Sequence, residues 1–527
     1  MSTCGEKLME MLGAYGIDTA FGIPGTHTIE LYRGLIGSGI RHVTPRHEQA
    51  AGFMADGYAR ATGRPAVCLT VSGPGAFNIA TAMSQALQDS IPMLVISADN
   101  ATYKRGLGEG RLHEVNNLSL AMSQCSVWSH TLMRPDELPM VLARAFAIFR
   151  SQRAGPVHII VPQDVITADA THVRSALWPS PSLAAPEVSA IQAAADILNS
   201  ACSPVIALGG GAINAAEEIR ELAEKLDAPV TVTQNAKGIL PFSHPLYIAG
   251  SPSFEEVREL YHNADVVLAI GTEVAETDYD FFFNGRFSFG EAKLIRIDHD
   301  VAQLSRNALP TLPIFADSKL ALQALLPLIP RSPRNGALRA RHVNIALAKV
   351  DSLGYQTFFD TLQQALPGML LVGDSTQPAY FAASQYHPET PRSFACAATG
   401  FGTLGYALPA AFGAKLAVPD RPVVALLGDG GIQFSINELS TATEAEIPVA
   451  IIVWNNQSYD MIAQNFREAG MEPIACHPYQ PDFVKLAEAY GCYGCRVANH
   501  KDLHKELMRV GTRKKPTLIE VMQSDFT

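Results

Sequence analysis

Asp429 and Asn456 are the residues whose chemistry is easiest to name. Both carry side-chain oxygens, and they stand 27 positions apart (456 − 429). A hard cation such as Mg²⁺ takes oxygen ligands in an octahedron: a carboxylate, some neutral oxygens, and the phosphates of a substrate or cofactor. Gly428, Gly430 and Gly431 flank Asp429. Glycines let a backbone approach phosphates closely, and their N–H groups supply donors. Alone, GDGG is as much a turn, and Asn-Asn a strand terminus, as either is a site. The two together, at this spacing and in this context, are much more specific.

The elements around them fit that purpose. Residues 423–427 are a short apolar run, expected to be a buried strand. A helical pattern follows, with Ile432, Ile436, Leu439 and Ala442 at spacings of three and four. A second apolar run, 449–454, ends in Asn455-Asn456. Strand, loop, helix, strand is half of a parallel α/β sheet. Both candidate ligands then lie past the carboxyl ends of strands, where open parallel sheets bind ligands.

The stretch resembles the thiamine-diphosphate motif, GDG followed by a double Asn, and the whole chain resembles the acetolactate synthase and 2-oxo acid decarboxylase family. The resemblance implies three doubly wound α/β domains: pyrimidine-binding at 1–170, central and Rossmann-like at 190–330, diphosphate-binding at 345–527. It implies thiamine diphosphate, with Mg²⁺ held by Asp429, the Asn456 side chain and the Ser458 carbonyl. It also implies a homodimer or homotetramer with the active site between subunits.

Length and composition agree with a large soluble globular protein. A chain of 527 residues has room for about three domains. With 47% hydrophobic and 17% charged residues it can bury large cores. A net charge of −11 argues against nucleic acid or anionic membrane as partner. The first residues include glutamates and lack a long apolar core, so no signal peptide is expected. No apolar run approaches a membrane span. Eight scattered cysteines suit a reducing cytoplasm. Cys492 and Cys495 form a C-x-x-C without a second pair, so a structural role is expected over zinc.

The central stretch has an earlier counterpart. Shifted by 356 (428 − 72), Ser72-Gly-Pro-Gly75 falls on Gly428-Asp-Gly-Gly431, Ile91-Pro92 on Ile447-Pro448, and Asn100 on Asn456, without a gap. This suggests two copies of one α/β unit. The first has Gly73 in place of Asp429 and should hold no metal. Residues 171–190 are expected to be one linker, and the Pro-rich stretch from Pro330 a second. Between them Gly209-Gly210-Gly211 follows a strand, but Asn214 breaks the G-x-G-x-x-G spacing. FAD, which the synthase branch binds in this domain, is not expected.

Further roles follow from the resemblance alone. Glu48 matches the carboxyl that shares a proton with the pyrimidine ring and so promotes loss of the thiazolium C2 proton. Near a helix start, the ordinary reading of such a glutamate is a dipole or capping role. Gly402 and Leu404, in ATGFGTLGYALPAA, match the segment that bends the cofactor; Leu404 is otherwise plain core. Thr376 and Gln377, in VGDSTQP, are diphosphate candidates, with Asp374 expected in a turn. Met461 and Ile462 follow the metal loop and should line the pocket.

On the substrate side, His113 in GRLHE is a candidate for proton transfer or carboxylate binding, or else a surface histidine. Thr26 and His27 match an active-site loop. Asp278, in an acidic run that could equally be a solvated face, falls where benzoylformate decarboxylase carries an active-site histidine. These segments look most like the 5-guanidino-2-oxopentanoate decarboxylases, a branch whose substrate has a cationic tail. Asp460 departs from the small residue usual there. The expected reaction is decarboxylation of a 2-oxo acid to an aldehyde; the alternative is acetolactate-type carboligation.

Overall fold

The computed structural model describes residues 2–175, 177–281, 285, 287–350, 354–398 and 400–526. Three parallel sheets carry the chain. The first holds β1 (Thr19–Gly22), β2 (Arg41–Val43), β3 (Val67–Val71), β4 (Met93–Asp99), β5 (Trp128–Thr131) and β6 (Pro156–Pro162), in the order β2-β1-β3-β4-β6-β5. The second holds β7 (Val205–Leu208), β8 (Val230–Val232), β9 (Val266–Ile270), β10 (Lys293–Asp298) and β11 (Leu312–Phe315), in the order β11-β10-β9-β7-β8. The third holds β12 (Leu370–Gly373), β13 (Phe394–Cys396), β14 (Val423–Gly428), β15 (Ala450–Asn455), β16 (Tyr493–Val497) and β17 (Thr517–Met522), in the order β13-β12-β14-β15-β17-β16.

The central strands β3, β4, β6, β14 and β15 are buried at every residue. Parallel sheets covered on both faces need such continuous apolar runs. The first and third sheets have the same strand order, element for element. The repeat expected between residues 72–100 and 428–456 is therefore a repeat of architecture.

Contacts group the chain into two compact units: 1–181, 372–376 and 400–525 form one; 182–371, 377–399 and 526–527 form the other. Within the first unit, helix Glu48–Thr62 crosses helix Ala407–Ala417 backbone to backbone. A Cβ on Gly57 would lie 1.9 Å from the Ala410 carbonyl oxygen, and one on Gly413 1.8 Å from that of Met54. A buried ionic network sits beside this crossing. Arg60 Nε donates to Asp56 (2.6 Å), its Nη2 to Asp89 (2.5 Å), and the Tyr406 hydroxyl to Asp56 (2.6 Å). Removing one partner of such a buried set typically costs about 3–5 kcal/mol, because a charge is left unpaired.

Two expectations need correction. The helix after the GDGG loop is broken: Asp429–Ile432 is one turn, and Glu438–Glu444 resumes it. Gly405 faces the break, where its Cβ would lie 2.6 Å from Phe434 Cβ, so the interruption makes room for the 400–405 loop. The second Pro-rich linker is largely helical, Gly336–Leu347, anchored where Arg334 donates to the carbonyls of Ala201 (2.8 Å) and Leu226 (3.0 Å). The triple glycine, already off the dinucleotide spacing, has a packing role. A Cβ on Gly209 would lie 2.2 Å from the Gly271 carbonyl oxygen, and Gly211 N–H donates to that same oxygen at 3.0 Å. Among the described residues no helix is long and apolar enough to cross a membrane.

Candidate active site

Asp429 opens the one-turn helix at the end of β14 and is 2% exposed. Its Oδ2 is buried without a hydrogen-bond partner. Burial pushes its carboxyl up to about 6, against the pull of the backbone N–H groups of Gly430, Gln457 and Ser458. A desolvated carboxylate with an unused oxygen calls for a cation.

The second loop supplies neutral oxygens beside it. Asn455 faces inward: its amide donates to Glu520 (2.7 Å) and its oxygen accepts from Gln457 N–H (3.1 Å). Asn456, the next residue, donates to Gln523 (3.2 Å) and accepts from Ser458 N–H (3.1 Å). Gln457 has φ +59, the left-handed turn that reverses the chain here. One carboxylate, one amide oxygen and one carbonyl fit the donor set Mg²⁺ prefers. No cluster of three or more His, Cys, Asp or Glu occurs among the described residues, and this donor set does not require one. Cys492 is buried, with its thiol 3.3 Å from the Thr443 hydroxyl, and burial pushes the Cys495 thiol up to about 11.

The glycines leave little spare room. A Cβ on Gly430 would lie 2.3 Å from the Tyr459 ring, and one on Gly428 3.1 Å from Thr376 Oγ1. Thr376 thus stands at the mouth of β14. Asp374 is more than a turn residue. It is fully buried, accepts from Ser375 N–H (2.7 Å) and Ala407 N–H (3.4 Å), and is pushed by burial up to about 6. It ties the loop after β12 to the start of helix Ala407–Ala417. The 400–405 loop is fixed from its other side: Thr403 donates to Gln85 through hydroxyl (2.9 Å) and N–H (3.3 Å). Gly402 (φ +71) is exposed and Leu404 half-buried, so both can face a ligand. Asp460 begins helix Asp460–Glu468; Met461 (39%) and Ile462 (50%) are exposed beside it.

Glu48 is the first residue of its helix, after the N-cap His47, whose Nδ1 accepts from Gln49 N–H (3.1 Å). Its carboxylate accepts from Asn78 Nδ2 at 2.9 Å. Gly75 lies alongside, where a Cβ would be 3.5 Å from Glu48 Oε1. Asn78 was missed by the sequence reading. Inside an alanine-rich helix it gives no motif, and only the fold brings it to Glu48. No hydrogen bond among the described residues joins the Glu48 group to the Asp429 group.

The two candidate histidines come together. His27 is 5% exposed and His113 half-buried, with ring centroids 5.1 Å apart, edge to face. Nδ1 of each is buried without a partner. Burial, then the neighbouring His113, holds His27 below its ordinary range, with Asp99 pulling the other way. Thr26 beside them is exposed.

Asp278 and Gln377 belong to the second unit. Asp278 lies in the short helix Glu276–Tyr279, accepts from Gln234 N–H (3.1 Å), and borders a small pocket with Ser251, Thr277 and Ser384. Asp280 is committed to Arg258. Gln377 accepts from the Tyr355 hydroxyl at 3.1 Å.

Family profiles match all three sheets: the thiamine pyrophosphate enzyme N-terminal TPP binding domain at 2–120, central domain at 191–325, and C-terminal TPP binding domain at 374–521. A probable 2-ketoarginine decarboxylase of Pseudomonas aeruginosa is 40% identical over 98% of this chain and 94% of its own. The acetolactate synthase isozyme 1 large subunit of Escherichia coli is 34% identical over 98% and 93%. A probable acetolactate synthase large subunit of Methanocaldococcus jannaschii is 31% identical over 98% and 91%. With both thiamine-binding domains and the central domain matched along one chain, this protein belongs to the thiamine pyrophosphate enzyme family.

Proposed function

We propose that the chain is a thiamine-diphosphate- and Mg²⁺-dependent decarboxylase that converts a 2-oxo acid with a cationic tail, such as 5-guanidino-2-oxopentanoate, to an aldehyde and CO₂. The observation that carries it is the buried, unpartnered Asp429 oxygen beside Asn456 and Ser458. Bound there, thiamine diphosphate supplies the carbon nucleophile for the 2-oxo group and the sink for the electrons that CO₂ leaves behind.

The chain's own residues do the rest. Asp429, the Asn456 oxygen and the Ser458 carbonyl would hold Mg²⁺ and so neutralise the diphosphate, which Thr376 and the glycine N–H groups would also contact. Gly402 and Leu404 hold the pyrimidine. Glu48, oriented by Asn78, exchanges a proton with the pyrimidine nitrogen. His27 and His113, whose rings meet edge to face, would bind the carboxylate and return a proton to the product. Met461, Ile462, Asp460 and Thr26 line the substrate channel.

The cationic tail is assigned to Asp278. Support comes from the Pseudomonas relative, named a probable 2-ketoarginine decarboxylase, and from the carboxylate's place on a pocket wall. A screen of 2-oxo acids for CO₂ release, with thiamine diphosphate and Mg²⁺ present, should find a cationic substrate preferred over pyruvate. Asp278→Asn should then cost about 2–5 kcal/mol in kcat/KM for that substrate, and spare neutral acids of similar length. Preference for pyruvate, or an equal loss on all acids, would remove the assignment. Carboligation is the second reading, favoured by the synthase relatives. Acetolactate from pyruvate, exceeding free aldehyde, would put it first.

We further propose a cytoplasmic homodimer or homotetramer, with the first domain of one chain facing the third domain of another. Support comes from large apolar side chains exposed beside site residues: Phe77 (51%) next to Asn78, and Phe434 (57%) beyond the GDGG loop. All eight cysteines are free, which suits a reducing compartment.

A further inference from the structure

Gly73 and Asn100 occupy, in the first copy of the repeat, the positions of Asp429 and Asn456 in the second. Both pairs follow strand ends: β3 and β4 in one sheet, β14 and β15 in the other. In the second copy these positions offer oxygens to a cation. In the first they serve the chain itself. Asn100 Nδ2 donates to the Leu112 carbonyl at 2.9 Å, and Asn100 is 6% exposed. Gly73 (φ +60) leaves little room for a side chain: a Cβ there would lie 3.0 Å from the His113 carbonyl oxygen and 3.1 Å from its Cα. Asn100 thus holds the Leu112 peptide of the GRLHE loop, and Gly73 lets the next peptide, that of His113, pass close by.

The grip has a consequence for geometry. His113 is held at φ +58, a left-handed conformation uncommon for a residue other than glycine. Such a conformation persists only where surroundings enforce it. Asp99, which precedes Asn100, accepts from Asn100 N–H (2.8 Å) and from Arg105 Nε (2.7 Å), fixing the strand end from which Asn100 reaches out. The loop's own glutamate, Glu114, closes it internally by accepting from Gly108 N–H (2.8 Å) and Arg111 N–H (3.0 Å). With Leu112 and His113 seated this way, the His113 ring meets His27 edge-on.

We propose that Asn100 and Gly73, the first copy's counterparts of Asn456 and Asp429, are positioning residues that form the seat of His113, setting it against His27 for work on the 2-oxo acid. The role of His113 in turnover rests on the function proposed above; the seating does not. Removing the Asn100 donor frees the Leu112 carbonyl and lets His113 relax from its left-handed backbone. A displacement of about 1 Å can cost on the order of 100-fold in rate.

The test uses the full chain labelled with ¹³C at histidine Cε1, and the Asn100→Ala variant. The His113 ring signal is assigned by its loss in His113→Gln. Asn100→Ala should shift that signal and the His27 signal, leave the other histidines in place, and leave thiamine diphosphate affinity unchanged in the presence of Mg²⁺. With a 2-oxo acid that the parent decarboxylates, it should lower kcat at least tenfold, and cost nothing further in a His113→Gln background, because residues acting through one another are not additive. Gly73→Ala should shift the same two signals, and serves if Asn100→Ala does not fold. A His113 signal unmoved by both variants, or losses that add to those of His113→Gln, would overturn the proposal. If the parent chain turns over no 2-oxo acid, the functional reading fails, and the ring signals decide the seating by themselves.

Discussion

The first and third sheets run their six strands in the same order, yet their loops do opposite things. After β14 the chain places a carboxylate, Asp429, with an oxygen left over. After β3 it places Gly73, and the space goes to the backbone of His113. After β15, Asn456 turns in a loop whose peptide groups face Asp429. After β4, Asn100 grips a peptide of its own domain. The scaffold fixes where loops emerge; one or two side chains decide whether a loop presents an unpaired carboxylate oxygen or holds its own chain. Fold alone therefore gives no function here.

The sharpest way to break the comparison is to remove the carboxylate. Asp429→Ala should abolish retention of thiamine diphosphate, since the diphosphate then lacks a charged link through Mg²⁺. Calorimetry with Mg²⁺ present measures this directly, and unchanged affinity would dismiss the metal assignment. The equivalent change in the first copy, Asn100→Ala, should leave that affinity alone.

Glu48→Gln should do the reverse of Asp429→Ala: cofactor bound, turnover reduced by about 10²–10⁴-fold, the range for loss of a positioned proton-transfer group. Exchange of the C2 hydrogen, followed by NMR, isolates the step, and exchange at the parent rate would take Glu48 out of it. Because Glu48 and Asp429 are assigned to opposite ends of one cofactor, mixing the two inactive variants should restore part of the activity in hybrid dimers. No recovery, with hybrids shown to form, would place the site within one chain.

Much of this was legible in the residues. The α/β alternation, the GDGG–Asn-Asn pair and the repeat all rest on short-range patterns: apolar runs of strand length, glycines where backbone must approach, strand ends at fixed offsets. What was hidden depends on distance in the chain. Asn78 meets Glu48 only because two helices start side by side. Asp374 looked like a turn residue, and its burial follows from helix Ala407–Ala417 starting over it. The break at residues 433–437 could not be seen, because Ile432, Ile436 and Leu439 keep helical spacing across it. Periodicity reports which residues are apolar, and the loop that needs the space lies about 30 residues earlier in the chain.

The smallest expected effect separates the two copies at one helix position. Shifted by 356 (438 − 82), Glu438 falls on Ala82. Ala82 is small so that Gly52 can press against it; a Cβ on Gly52 would lie 2.4 Å from the Ala82 Cβ. Glu438 is fully buried and uses its carboxylate to accept from Arg46 N–H (3.0 Å) and the Thr441 hydroxyl (2.7 Å). Burial pushes it up to about 7 from an ordinary 4.5, outweighing those hydrogen bonds. The sign follows from linkage. Between these two values the unfolded chain gives up the proton while the folded one keeps it, so folding loses stability as pH rises through that window. The loss is on the order of 3 kcal/mol for a shift of that size. Glu438→Gln keeps the shape and an acceptor and removes the titration. Its thermal midpoint should vary less than the parent's between about pH 4.5 and pH 7. Parallel pH profiles for the two proteins would mean that Glu438 is ionised in the folded chain, stabilised there by the Arg46 and His47 backbone beside Glu48.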